Sequence, residues 1–241
     1  MMVEQIADPN EEKPLSSLRK TLCRAYQAIV SPFELFREVA DDPDLGGPVL
    51  FLATIGLSSF LTSFVGWSKL RIQEQTTVTA PPTSWLLFNS GVEVFWSLLT
   101  PIFIYTSYIF LFQITRARGQ SKKAFFSAFG YGYFPIAILH VITLIFTSSL
   151  PTLVVPKDVK WEDFQQIYSG WRSSLAYVVM RFSNPVFYFW QLYLSTLAAH
   201  LSYKVSWKVS IVASIIIFLE TSLILSWPVD LIRTIRSVIT R

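Results

Sequence analysis

The sequence predicts an all-α membrane protein, a polytopic bundle of five transmembrane helices with cytoplasmic amphipathic helices ahead of the first span. The main observation is the apolar run Ala124–Leu150, which exceeds the roughly 20 residues needed to cross a bilayer core about 30 Å thick. Composition agrees, because 52% of the 241 residues are hydrophobic and 15% are charged, whereas soluble domains carry about 25% charged residues. Four further apolar runs indicate that the chain crosses the membrane several times.

The first 47 residues are predicted to form a tail and two helices. Residues 1–13 are polar and acidic, which is typical of a short disordered tail. In residues 14–47, the first helix has apolar residues at spacings of three and four, namely Leu15, Leu18, Leu22, Ala25, Tyr26 and Ile29. Either this stripe lies in the headgroup region, with Arg19, Lys20 and Arg24 toward anionic lipid, or it packs against the protein's own spans.

The second helix has a clear start and a clear end. Ser31 is the expected N-cap, Pro32 suits the first helical position, and Glu34 would complete a capping box. The helix ends at an acidic turn rich in glycine and proline, which brings Asp41, Asp42 and Asp44 to the membrane surface.

Residues 48–228 are predicted to form the five-span domain. The expected spans are Val49–Trp67, Trp85–Thr115, Ala124–Leu150, Pro185–Leu201 and Val209–Trp227. Residues 68–84 lack periodicity and are predicted to be a connector. Residues 152–172 place four aromatic residues at steps of three and four, which favours an interfacial helix: Trp161, Phe164, Tyr168 and Trp171. Residues 229–241 are predicted to lie on the surface.

Small residues and a proline interrupt the third span. Gly130 and Gly132 are expected to allow the close approach of a neighbouring helix, and Pro135 is expected to kink the backbone.

Charge distribution predicts the orientation of the chain. The densest basic cluster in a short loop is Arg116, Arg118, Lys122 and Lys123. The positive-inside rule therefore favours a cytoplasmic N-terminus, although Arg233, Arg236 and Arg241 oppose it because five spans place the two termini on opposite sides.

Two motifs carry a resemblance to a known family. The segment Pro43-Asp44-Leu45-Gly46-Gly47-Pro48 runs directly into the first span, and Tyr131-Gly132-Tyr133-Phe134-Pro135 lies in the third. They resemble the Asp-Leu-x-Gly-Pro entry and the Tyr-Gly-Tyr-Ser motif of the Yip family, whose founding members interact with Ypt/Rab GTPases. The resemblance covers residues 31–227 and is to a short prokaryotic-type member, since Gly46 and Phe134 depart from the eukaryotic pattern. It implies five spans, a cytoplasmic N-terminus and a role in membrane organisation or trafficking.

The residues favour a non-enzymatic scaffold or adaptor. The sequence contains no HExxH, GxSxG, CxxC or phosphate-binding glycine motif, so no catalytic residue, metal or cofactor is predicted. The expected partners are the lipid bilayer and a cytoplasmic or membrane protein or a second copy, but not nucleic acid. Candidate partner-binding residues are Asp41, Asp42, Asp44, Arg116 and Arg118. The predicted location is the cell membrane, or the ER or Golgi membrane in a eukaryote.

The alternative function is a small transporter or channel that uses Glu93, His140 and Glu220 as buried ionisable groups. One of the glutamates is expected to meet His140 or Arg181. A purely structural interpretation remains open, in which these groups form interhelical hydrogen bonds or Glu93 reaches water.

Overall fold

The computed structural model describes residues 12–74, 77–116, 121–157, 166–167, 169 and 173–221. Helix α1 (Glu12–Val30) and helix α2 (Pro32–Asp41) come first and are separated only by Ser31. Pro32 lies at the start of α2, but the Ser31 side chain makes no capping hydrogen bond, so the predicted capping box is wrong. The fixed backbone angle of Pro32 is sufficient to set the start of the helix.

Three helical segments in the described ranges are long and apolar enough to cross a membrane. Helix α3 (Gly46–Ser68) and helix α4 (Thr83–Ile114) match the first two predicted spans to within three residues. The third segment consists of α5 (Lys122–Gly132) and α6 (Phe134–Ser149), which meet at Tyr133. Pro135 lies in the first turn of α6, where its missing N–H removes no helical hydrogen bond.

Two more helices follow on the C-terminal side. Helix α7 (Leu175–Ser202) begins ten residues before the predicted start at Pro185 and continues through that proline. Arg181, Asn184 and Pro185 are all exposed, so the helix carries them on its surface, and the residues ahead of the predicted span are already helical. Helix α8 occupies residues 207–221, and the predicted end of the fifth span lies outside the described residues. That α7 and α8 cross the membrane, giving five spans, stays a prediction.

A small sheet corrects the all-α prediction. Strands β1 (Leu70–Glu74), β2 (Thr77–Thr79) and β3 (Leu153–Pro156) have the order β2-β1-β3. Strand β1 pairs antiparallel with β2 and parallel with β3, so Ile72 lies between Thr79 and Val155. The segment predicted as an irregular connector is thus mainly a hairpin. Its strands are too short for a visible alternation, but they contain β-branched residues that favour pairing.

The core joins the N-terminal helices to the spans. Helix α2 packs against α5 and α7 and buries Leu35, Phe36 and Val39. Next to it, rings from α4, α5 and the end of α7 form a continuous cluster in which each ring centroid lies within 6 Å of at least two others: Tyr108, Phe112, Phe125, Phe129 and Tyr203. The N-terminal helices are therefore an integral part of the folded domain rather than a separate appendage.

Several predictions fall outside the described residues. They concern most of the disordered tail (residues 1–11), the interfacial aromatics Trp161, Phe164, Tyr168 and Trp171, the basic residue Arg118, and the C-terminal segment from residue 222 onward.

Candidate functional site

A buried arginine holds α1 against the rest of the molecule. The Arg24 side chain is 1% exposed, although it belongs to the helix nearest the N-terminus. Its guanidinium donates hydrogen bonds to Glu38 (Nε to Oε1, 3.0 Å; Nη2 to Oε1, 2.7 Å), to the Asp42 backbone oxygen (3.0 Å) and to the Asp44 carboxylate. Burying a cation is unfavourable unless it is paired and hydrogen-bonded, and these contacts supply both.

The charges of this cluster stabilise one another. Burial alone would lower the pKa of Arg24, but the hydrogen bonds to Glu38 and Asp44 outweigh it, and the pKa is raised. Lys20 also pairs with Asp42 and, with help from Arg24, lowers the pKa of that carboxyl. The ion pairs that Arg24 and Lys20 make with these carboxylates are therefore present at neutral pH.

Asp44 links the cluster to two spans. Its Oδ1 accepts a hydrogen bond from the Gly47 N–H (3.2 Å) in the first turn of α3. The Tyr131 hydroxyl on α5 donates to the same carboxylate at 3.0 and 3.1 Å, and the Asp44 N–H donates to Ser127 Oγ at 3.2 Å. One side chain thus connects α1, α3 and α5.

The two sequence motifs meet at this point. A Cβ atom on Gly47 would lie closer than 3.0 Å to the Tyr131 ring, and a Cβ on Gly130 would lie closer than 3.0 Å to Pro48. Gly47 of the first motif therefore leaves room for Tyr131 of the second, and Gly130, which directly precedes the second motif, leaves room for Pro48 of the first. Gly132 differs, because a Cβ there would be 3.7 Å from Leu194, which is an ordinary contact.

A third link ties α2 to α7. The buried Ser202 hydroxyl donates to the Phe36 backbone oxygen at 2.9 Å. We call residues 18–45 the N-terminal cap. The cap is held to the spans by Asp44, by the hydrogen bond from Ser202 and by the buried side chains of α2. Arg24 holds α1 to the rest of the cap.

The outer face of α1 stays uncovered. Its apolar side chains are 43–65% exposed, and they are Leu18, Leu22, Tyr26, Ile29 and Val30. The interpretation in which the apolar stripe packs on the protein's own spans is therefore wrong for most of its members. The buried face instead carries Thr21, Arg24, Ala25 and Ala28.

The burial of Arg24 also corrects the prediction that it faces anionic lipid. Residues 21, 24, 25 and 28 follow the spacing of one helix face, so small residues around an arginine were a signal in the sequence. The more hydrophobic stripe was the stronger signal in the sequence. Hydrophobicity alone does not show which face of a helix packs against the protein.

The predicted partner-binding residues are not equivalent. Asp41 is exposed and Asp42 is exposed but paired, whereas the side chain of Asp44 is only 23% exposed and bonded within the cap. Arg116 is exposed just after α4. In the part of the chain that the structure describes, no ion pair joins Arg116 to the acidic turn.

A second feature is a cavity of about 390 Å³ between α3, α4, α6, α7 and α8. Glu93 and His140 both line it, whereas Glu220 is half-buried and does not. The Glu93 side chain is accessible at the cavity wall. Within the described ranges neither glutamate pairs with His140 or Arg181, and His140 Nδ1 instead lies 3.0 Å from Ser59 Oγ.

The described residues contain no group of three or more His, Cys, Asp or Glu side chains arranged to hold a metal ion.

Comparison with known families identifies a domain that covers most of the chain. The family model of the Yip1 domain matches residues 26–227, which is most of the chain. No curated protein and no solved structure shows significant similarity to the sequence. The matched range includes both motifs that meet at Asp44 and Tyr131, but begins after Arg24.

Proposed function

Because the chain belongs to the Yip1 domain family of membrane proteins, we propose that it is a non-enzymatic membrane scaffold or adaptor. It acts in membrane organisation or trafficking by binding a protein partner. The observation that carries this proposal is the N-terminal cap. One side of the cap is bonded to the spans, and the other side presents the exposed apolar face of α1.

The partner that best fits this face is an amphipathic helix with an acidic edge. The exposed side chains of α1 form a shallow, open groove along one face of the helix, which is bordered by Arg19. An apolar helix face would fill the groove, and a carboxylate at its edge would pair with Arg19.

An anionic bilayer fits the groove less well. Surface-lying helices bind such membranes through a polar face rich in Lys and Arg. Here Arg24 is buried and Lys20 is paired with Asp42, so two of the three cations predicted to meet lipid are already engaged within the cap.

Site-specific photo-crosslinking tests the proposal. A photoreactive residue at Tyr26, in the groove, is expected to capture one protein in native membranes. The same residue at the exposed Arg37 of α2 serves as the matched control and should not capture it. Leu22→Asp should abolish the Tyr26 adduct while leaving the melting temperature unchanged, because Leu22 is 54% exposed. Adducts with lipid alone would contradict an adaptor role.

Reversing the charge of the acidic turn is a poorer test. In Asp44→Lys the new lysine would lie against the buried Arg24 and would detach the cap. Loss of partner binding in that variant would therefore not show that Asp44 contacts the partner. Asp41→Lys leaves the Arg24 cluster intact and is the cleaner variant.

We also propose that the chain has five spans, a cytoplasmic N-terminus and a location in the cell membrane. Charge distribution and the family support them.

A transporter is the second candidate, and one observation favours it. The cavity brings Glu93 and His140 to a common wall, as an intramembrane pathway for ions or protons would require. Ion flux into liposomes that is lost in Glu93→Gln would support transport. Equal flux in protein-free liposomes would exclude it for the ion tested.

A further inference from the structure

The cavity has the composition of a ligand site. Its volume of about 390 Å³ falls within the roughly 300–1,000 Å³ typical of small-molecule pockets, which are mostly apolar with a few polar groups. Apolar side chains such as Ile55, Ile104 and Leu192 form most of the wall. Among the described residues that line it, Glu93 is the one acidic side chain, and Lys and Arg do not contribute.

The cavity opens sideways. Trp96 on α4 and Phe189 on α7 both line it and are 42% and 61% exposed. Helix α4 packs mainly along α3, and it makes no extensive contact with α7 within the described ranges. Helix α8 contacts both of them, because Ser214 is hydrogen-bonded to Tyr108 on α4 and to Thr196 on α7. The exposed Trp96 and Phe189 therefore mark the part of the cavity rim that we expect to face the acyl-chain region of the bilayer, where a molecule dissolved in the membrane would enter.

Glu93 lies deep in the membrane. Trp67 and Trp85, whose rings are 5.1 Å apart, mark the end of α3 and the start of α4. Such aromatic residues favour the membrane interface. Glu93 follows Trp85 by eight residues, which is about 12 Å along a helix at 1.5 Å per residue. A carboxylate at that depth requires a partner, and the described chain supplies no cation to it.

Further polar groups face the same space. His140 contacts Ser59 through Nδ1, so its Nε2 atom is available to an occupant. Thr221 Oγ1 is buried at the cavity wall and has no hydrogen-bond partner within the described residues.

From these observations we propose that the cavity binds a lipophilic amine, a molecule with an apolar body and one protonated amino group, taken laterally from the bilayer. The Glu93 carboxylate is the counter-ion of the amine, His140 contacts the polar end, and the apolar wall holds the body. This site is separate from the N-terminal cap and does not depend on the scaffold function.

A pair of probes tests the proposal. The full-length protein in nanodiscs of neutral lipid is labelled with dodecylamine that carries a diazirine in its chain, and separately with its N-acetyl derivative, which has the same chain but no charge. Peptide mapping then locates the adducts. We expect the amine to label α4 and α7 at the cavity wall at least tenfold more efficiently than the neutral analogue, and unlabelled dodecylamine to compete.

Three variants separate the outcomes. Glu93→Gln should reduce amine labelling at least tenfold while labelling by the neutral analogue remains, which shows that the cavity is intact. Glu220→Gln is the matched control, because Glu220 lies on α8 but not at the wall, and it should label like the wild type. Leu192→Trp, which fills the cavity, should block both probes. Equal amine labelling in wild type and Glu93→Gln, or adducts confined to α1, would overturn the proposal.

Discussion

Arg24 is a buried guanidinium whose partners come from α2 and from the turn that follows it. Because Glu38 and Asp42 are partly exposed, they can regain water if Arg24 is removed, whereas Asp44 is held more deeply by Gly47 and Tyr131. The energetic effect of Arg24 therefore depends mainly on Asp44.

Arg24→Ala is expected to destabilise the cap by about 1.5–3 kcal/mol, the range for hydrogen bonds to charged groups. Thermal melting in detergent and limited proteolysis of α1 measure the effect. Arg19→Ala is the control, because Arg19 is exposed, and it should behave like the wild type. Equal protease resistance of the two variants would show that Arg24 does not hold the cap.

The two glycines of the third span are expected to differ. Gly130→Ala forces a methyl group against Pro48 and should cost about 1–3 kcal/mol through overpacking. Gly132→Ala adds an ordinary contact with Leu194 and should be close to neutral. Melting temperatures of the two variants decide this, and a larger loss for Gly132→Ala would reverse the assignment.

At the scale of elements, the sequence predicts the apolar spans well and the small elements poorly. The limits of α3 and α4 follow from apolar length alone. The early start of α7 could not be read from composition, since a helix can carry Arg181 and Pro185 on its surface. The sheet was also hidden, because β1 and β3 come from segments about 80 residues apart, and their pairing is a tertiary contact.

The same limit applies to the candidate sites. The sequence motifs pointed to Asp44 and Tyr131 separately, but not to the hydrogen bond between them. Glu93 and His140 were recognised as ionisable groups in spans, whereas the cavity that they share depends on how five helices pack.

The attachment of α1 is expected to weaken in acid. The pKa of Asp42 is lowered in the folded protein, mainly by Lys20, so its ion pair stabilises the fold above the unfolded pKa of about 3.9 and is lost as the pH falls further. The protection factors of the α1 amides, which correct hydrogen exchange for its intrinsic pH dependence, should therefore decrease below about pH 4. In Asp42→Asn the exchange should be faster already at neutral pH, with a smaller acid step. An acid step of equal size in both proteins would assign it to other carboxylates.

At the scale of the whole molecule, the proposed five spans would place the two ends of the chain on opposite sides of the membrane. The single cysteine, Cys23, is exposed on α1, so it serves as a natural label for the N-terminal side. A cysteine introduced at Ser237 in a Cys23→Ser background labels the other end.

A membrane-impermeant maleimide is expected to react with Cys23 only after cells are permeabilised, and with Ser237→Cys in intact cells. The reverse pattern would invert the orientation, and the same accessibility for both positions would require an even number of spans. Unlabelled Cys23 in permeabilised cells would show that a partner or lipid covers α1.

The hydrogen bond between Tyr131 and Asp44 joins positions 87 residues apart, and this spacing has a consequence for biogenesis. Helix α1 leaves the ribosome first, but the tyrosine that completes its attachment follows only with the third span. Until then the N-terminal segment lies outside the membrane with its apolar side chains exposed. The apolar face that the mature protein presents on α1 is therefore exposed from the start of synthesis, and the Asp44 contact of the cap can form only after Tyr131 has been made.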